Sequence, residues 1–251
     1  MRSTRTLVTG AGRGMGLEFA RQCLDRGDRV YAGVRRPDDA SQLRALDTQY
    51  PERLLIFSLD VEDSGSITRA VEAVREKTDR LDLLINNAGI NSASAGIEPT
   101  QRNVRFGELE ASGMLRMLHV NAVAPILVTQ AFVELLEQGD RPRVINVSSW
   151  LGSIERKSAG GNYGYCASKA ALNMLGRTLA FDLKARGIIT LLFNPGWVQT
   201  DMRTDMRTDM GGKNAELSVT QAVSGVLGTS DTASLEDTGR FFQWDGTEHP
   251  W

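Results

Sequence analysis

Two cysteines and two histidines in 251 residues leave little material for disulfide or metal chemistry. Cys23 and Cys166 cannot build a disulfide framework, and His119 and His249 lie far apart in sequence, so a zinc site has too few ligands. A thiol nucleophile would rest on Cys166, which otherwise reads as a small residue beside Tyr165. No apolar run approaches the length that spans a bilayer, which leaves surface attachment as the one route to a membrane. Charge of one sign is also missing: 29 basic against 31 acidic side chains give a formal charge of -2, so nucleic acid is not an expected partner. The chain has no G-x-S-x-G elbow and no P-loop, which removes the common serine hydrolases and NTPases. Its first apolar run starts at Thr6, too early for a signal peptide, and a reducing cytoplasmic setting is the expectation.

What the sequence does have is a rhythm of short β-branched or leucine-rich runs alternating with longer stretches of helical period. Strands are expected at Thr6–Thr9, Arg29–Val34, Leu54–Leu59, Leu81–Asn86, Arg143–Ser148, Ile189–Phe193 and Arg240–Trp244. Helices are expected near 15–26, 39–48, 65–78, 106–137, 163–186 and 217–228. That alternation predicts an α/β, Rossmann-type doubly wound fold, a seven-stranded parallel sheet with helices on both faces. No linker divides it, so 1–251 reads as one dinucleotide-binding and catalytic domain, with a substrate lid around 196–216.

The turn after the first strand, in "TLVTGAGRGMG" (Thr6–Gly16), is rich in glycine, with Gly10, Gly14 and Gly16 as fixed points. Such a turn puts backbone N–H groups and the positive end of a helix where a pyrophosphate can sit. The same glycines could also serve a tight βα turn with no ligand.

Three further motifs bear on that choice: "INNAG" (Ile85–Gly89), "NVSS" (Asn146–Ser149) and "YCASK" (Tyr165–Lys169). Tyr165 and Lys169 stand four apart and share a helix face, a pairing expected by chance in only about one such chain in ten. In order and spacing these motifs resemble the short-chain dehydrogenase/reductase family, in its one-domain branch with T-G-x-x-x-G-x-G and Y-x-x-x-K. The loop "NPGWVQTDM" and the tail "GRFFQWDGTEHPW" look most like its C-factor-like carbonyl reductases.

The resemblance implies a catalytic set of Asn121, Ser149, Tyr165 and Lys169. Tyr165 would exchange a proton with the substrate oxygen and Ser149 would hold that oxygen. Lys169 would lower the tyrosine's pKa and bind the nicotinamide ribose, and Asn121 would hold a water leading from the lysine to solvent. Moving a phenol from about 10 toward 7 takes roughly 4 kcal/mol of preferential stabilisation of the phenolate. Motif register favours Ser149 over its neighbour Ser148 as the catalytic serine. It also implies that cofactor contacts come from Gly10, Arg13, Gly14, Met15, Gly16, Arg35, Asp60, Val61, Asn87, Ala88, Gly89, Pro195, Gly196, Val198 and Thr200.

The end of the second strand is where a carboxylate would accept from a ribose 2′-hydroxyl and repel a 2′-phosphate. Val34 stands there, followed by Arg35 and Arg36, with Arg13 inside the glycine turn. Two cations converging on a phosphate imply NADP(H); the alternative is a solvated basic turn in which Arg35 pairs with Asp38 or Asp39. Trp150, Leu151, Trp197 and Met202 are candidates for the substrate pocket, the tryptophans and methionine being equally readable as core. The repeat "TDMRTDMRTDM" (Thr200–Met210) departs from the family pattern, either as a longer lid or as a tolerated duplication, and it leaves Thr200 and Thr208 competing for one role.

The resemblance implies an NADPH-dependent reductase of ketones or aldehydes, assembled as a symmetric homodimer or homotetramer through the long helices or the last strand. A nucleotide-sensing signalling protein on the same fold, or a dehydratase or isomerase, are the alternatives.

Overall fold

The computed structural model describes residues 3–91, 104–199 and 217–251. In chain order the strands are β1 (Arg5–Thr9), β2 (Arg29–Val34), β3 (Leu54–Ser58), β4 (Leu83–Asn86), β5 (Arg143–Val147), β6 (Ile189–Asn194), β7 (Val198–Gln199), β8 (Leu217–Ser218) and β9 (Phe241–Gln243). The α-helices are α1 (Gly14–Asp25), α2 (Ser41–Gln49), α3 (Ser64–Arg75), α4 (Ala111–Leu118), α5 (Ala124–Glu137), α6 (Tyr163–Lys184) and α7 (Val219–Thr232).

Seven strands form one parallel sheet in the order β3-β2-β1-β4-β5-β6-β9, as the alternating pattern predicts. Parallel strands buried on both faces read as continuous apolar runs, and here successive residues split between two cores. Val8, Ala32, Ile85 and Ile145 join α1, α2 and α7 on one face, while Leu7, Tyr31, Leu84 and Val144 join α3, α5 and α6 on the other. Strand order reverses between β1 and β4, which opens a crevice at the carboxyl ends of the strands. The glycine-rich turn, "INNAG" and "NVSS" follow β1, β4 and β5 at that end.

Side-chain caps fix the starts of two helices. The Asp63 side chain accepts from Gly65 N at the start of α3, and Ser218 with Gln221 forms a reciprocal capping box on α7. The helix expected from 106 begins at Ala111 instead, because Gly107 turns the chain at φ +95°. Between α4 and α5 the backbone widens into one π-helical turn, His119–Val123, which the apolar period does not reveal.

One expectation is corrected. The helical stretch Ala111–Glu137, 27 residues with mean hydropathy 1.4, is long and apolar enough to cross a bilayer by length and composition. Half of its most apolar window is buried inside the protein, which is how a core helix meets the same criterion.

The chain's tail folds back along β9: Gln243 N donates to Thr247 O at 2.7 Å and His249 N to Phe241 O at 2.7 Å. The Trp251 carbonyl oxygen then accepts from Ile154 N at 2.6 Å, Glu155 N at 3.2 Å and the Ser153 hydroxyl at 2.9 Å. The Trp251 ring lies 5.5 Å from Phe241 and 4.8 Å from the Arg177 guanidinium. The far edge of the sheet is thereby tied to the loop that follows Ser149.

Candidate active site

The glycines of the first turn divide their labour. A Cβ on Gly16 would stand 2.2 Å from Gly10 O and 2.5 Å from the Asn87 amide nitrogen, and one on Gly10 would stand 2.9 Å from Ala88 Cα. These two glycines therefore serve packing against the end of β4, where Asn87 Nδ2 donates to Thr9 O at 3.0 Å and Gly10 O at 3.2 Å. Thr9 Oγ1 completes the clasp by accepting from Asn87 N and Ala88 N, both at 3.0 Å. Gly14 differs: at φ +55° a Cβ there meets nothing within 4 Å, so its face is open. We expect Gly16→Ala to cost about 3 kcal/mol or more in urea denaturation, and Gly14→Ala about 1 kcal/mol, the strain of a left-handed residue.

Gly14 is also the first residue of α1, which has no side-chain cap and no acidic residue in its first turn. Uncapped N–H groups and the positive pole of the helix face the crevice, which suits a pyrophosphate. Arg13 and Arg35 are exposed at this end, and neither joins an ion pair among the described residues; Asp39 takes Arg36 instead, at 2.8 Å. Asp60 uses one carboxylate oxygen to accept from Glu62 N at 3.0 Å, a turn that leaves the second oxygen for an adenine amino group. Val61 is buried at 9% exposure, so its contribution is confined to its backbone.

Ser149, Tyr165 and Met15 line a cleft of about 540 Å³ with Pro195, Gly196 and Val198. Ser149 caps a short 3₁₀ turn, Trp150–Gly152, by accepting from Leu151 N at 3.1 Å. Ser148 lines the same cleft and is also buried, but its hydroxyl donates to Asn173 Oδ1 at 2.6 Å. Trp150, Leu151 and Trp197 also line the cleft, and with the tryptophans 46% and 50% exposed they are walls rather than core. Thr200 and Met202 lie outside the described residues, as do the Thr200–Met210 repeat and nearly all of the lid expected around 196–216.

Lys169 Nζ donates to Val147 O at 2.8 Å and stands 5.8 Å from the Tyr165 ring centroid. One of its three protons is thus spent on the end of β5, leaving two. Burial lowers its pKa to about 8. The tyrosine moves opposite to the sequence-based expectation: burial pushes it up to about 12, against a Ser149 hydrogen bond that lowers it. Its ring is only partly covered, so water in the cleft moderates the rise without changing its sign. Burial outweighs the Ser149 hydrogen bond, and no hydrogen bond joins Lys169 to the phenol among the described residues.

Asn121 is fully buried in the π turn, with Oδ1 accepting from Ile90 N at 2.8 Å and Nδ2 donating to Ile90 O at 2.8 Å and Ser168 Oγ at 2.9 Å. Its side chain is occupied in joining this turn to the segment after β4 and to α6. A Cβ on Gly89 would stand 3.1 Å from Asn121 Oδ1 and 3.9 Å from Lys169 Nζ, so these groups form one cluster.

Sequence reasoning missed Asn194. Its Oδ1 accepts from Trp150 N at 3.0 Å and Gly196 N at 3.2 Å, and its Nδ2 donates to Gln243 Oε1 at 2.6 Å. It ties together the loops after β5 and β6 and the last strand; its place at the carboxyl end of a strand, before Pro-Gly, was the available signal.

Fold and site together define a dinucleotide-binding oxidoreductase with a serine–tyrosine–lysine centre. Residues 4–211 match the short chain dehydrogenase family, and the chain belongs to that family. It is 40% identical to the C-signal of Myxococcus xanthus over 174 residues, covering 69% of this chain and 95% of that one. It is 34% identical to the short-chain dehydrogenase RED3 of Pyricularia oryzae, covering 100% and 99%. The structure resembles NADPH-bound carbonyl reductase from chicken fatty liver, with a TM-score of 0.85 at 33% identity over the whole of both chains.

Proposed function

We propose that this chain reduces a ketone or aldehyde to an alcohol with NADPH, and that 1–251 works as one domain. The observation that carries the reading is the placing of Ser149 and Tyr165 on one cleft wall, with buried Lys169 behind the tyrosine. NADPH, when bound, supplies the hydride. Ser149 holds the carbonyl oxygen, and Tyr165, kept protonated by its raised pKa, gives that oxygen its proton. Lys169 has two donors left for ribose hydroxyls and a pKa near the working range, from which it returns a proton toward the tyrosine. A panel of carbonyl compounds followed by NADPH absorbance tests this; absence of turnover on every member, with cofactor bound, sinks it.

Arg13 and Arg35 support NADP(H) over NAD(H), as does the chicken carbonyl reductase with NADPH bound. Arg35→Asp should weaken NADPH by about tenfold to a hundredfold, the worth of a charged hydrogen bond, and NADH far less. Equal losses measured by fluorescence titration would refute the assignment.

The proposal includes a symmetric homodimer or homotetramer. Supporting it are exposed apolar side chains on the long helices, Leu115 and Leu127 on α4 and α5 and Met174, Leu175 and Phe181 on α6. Light scattering at micromolar concentration should give a multiple of 27.5 kDa. A second reading, an NADP(H)-binding signalling protein, is favoured by the relative called C-signal. Loss of biological activity on removal of the Tyr165 hydroxyl separates the two, because a sensor needs only the bound cofactor.

A further inference from the structure

The charged residues in the described lining of the cleft are Arg156 and Lys157, both cations, and no acid stands among them. Arg156 takes part in no ion pair among the described residues. Lys157 Nζ donates to Gly161 O at 3.3 Å and stands 3.4 Å from Cys166 Sγ, with no carboxylate partner. Half of the described arginines find carboxylates, as Arg21, Arg26, Arg116, Arg143 and Arg240 do, whereas on this cleft wall neither cation does.

The loop that carries them is held at both ends. Trp150 N donates to Asn194 Oδ1 at 3.0 Å, the amides of Ile154 and Glu155 donate to Trp251 O, and Arg156 N donates to Ser153 Oγ at 3.2 Å. At its far end Asn162 N donates to Val104 O at 2.8 Å. Groups fixed in advance lose less entropy when they bind a ligand. These cations are also separate from those that suit the cofactor: Arg13 and Arg35 follow β1 and β2, whereas Arg156 and Lys157 follow β5, across the switch point of the sheet.

We infer that the substrate is an organic anion, a ketone or aldehyde with an apolar body and a carboxylate, the carboxylate docking on Arg156 and Lys157 while the carbonyl meets Ser149 and Tyr165. Trp150, Leu151 and Trp197 would grip the apolar part. This inference rests on the reductase reading for its chemistry and on the rim alone for its anion.

The test pairs 3-benzoylpropanoate, an aryl ketone with a carboxylate, with its methyl ester, in the parent and in Arg156→Gln/Lys157→Gln. In the parent, kcat/KM for the acid should exceed that for the ester by about tenfold, the worth of one or two solvent-exposed charge-assisted bonds, mostly through KM. In the double variant the acid-to-ester ratio should fall to about one, and Arg156→Lys should keep part of the preference. A parent that prefers the ester, or a ratio unmoved in the double variant, overturns the inference. Quenching of tryptophan fluorescence by the corresponding hydroxy acid and its ester is read alongside. If neither ketone is reduced, acid-selective quenching that the double variant loses upholds the anion site while the reductase reading fails. Equal quenching by acid and ester overturns the site itself.

Discussion

Tyr165→Phe should lower kcat by about a hundredfold to ten-thousandfold while NADPH affinity stays within about twofold. The substitution deletes one hydroxyl from the cleft wall and leaves the ring, the Ser149 position and the open face of Gly14 in place. No neighbouring group can take over the proton. Ser148 is spent on Asn173, and Tyr163 lies six residues before Lys169, off its helical face. Stopped-flow absorbance for the chemical step and fluorescence titration for the cofactor make the measurement; turnover near the parent's would end the mechanism.

Lys169→Met should fail in both respects, with kcat falling by about a hundredfold or more and NADPH binding weakening about tenfold as the ribose donors are lost. The same variant carries a signature in stability against pH. Burial lowers the folded-state pKa of Lys169 from 10.5 to about 8, so between those values the unfolded chain holds the proton that the folded chain has released. Stability therefore rises with pH across that window, the cost of the buried charge being fully present below about pH 8. Tyr165, raised from 10 to about 12, acts in the opposite sense, keeping its proton when folded, so its contribution is lost as pH rises from 10 to 12. Urea denaturation at pH 7.5 and 9.5 should show the parent gaining stability relative to Lys169→Met at the higher pH. A constant difference would mean that the ammonium is solvated.

The seven strands of the large sheet were legible in the sequence because each is an apolar run flanked by polar turns, with ends that moved by a residue or two where hydrogen bonding stops before the apolar pattern does; the two-residue β7 and β8, which pair only with each other, have no such run and were not expected. Leu81, for instance, precedes β4 yet is fully buried, its amide bonded to Leu135 O. The candidate site was picked out through local spacing, Tyr165 to Lys169 on one helical face. What escaped was whatever depends on partners distant in the chain. Asn194 reaches across 44 residues to Trp150 and 49 to Gln243, and no local pattern encodes that. The π turn at Asn121 coincides with side-chain bonds to Ile90 and Ser168, partners that lie 31 and 47 residues away. The direction of the tyrosine's shift escaped for the same reason, since it follows from burial by elements distant in the chain.

The clasp between Trp251 and the loop at Ser153–Glu155 makes the cleft only as firm as the edge of the sheet. β9 has three residues and pairs with β6 on one side, the kind of element that frays first in local opening. When it frays, Phe241 releases the rings of His249 and Trp251 that stack on it, and the amides of Ile154 and Glu155 lose their acceptor together. Substrate affinity would then decline on heating before the cofactor half of the sheet, β1 to β4, began to melt. The molecule's thermal tolerance as a catalyst would thus be decided at the opposite edge from its nucleotide site.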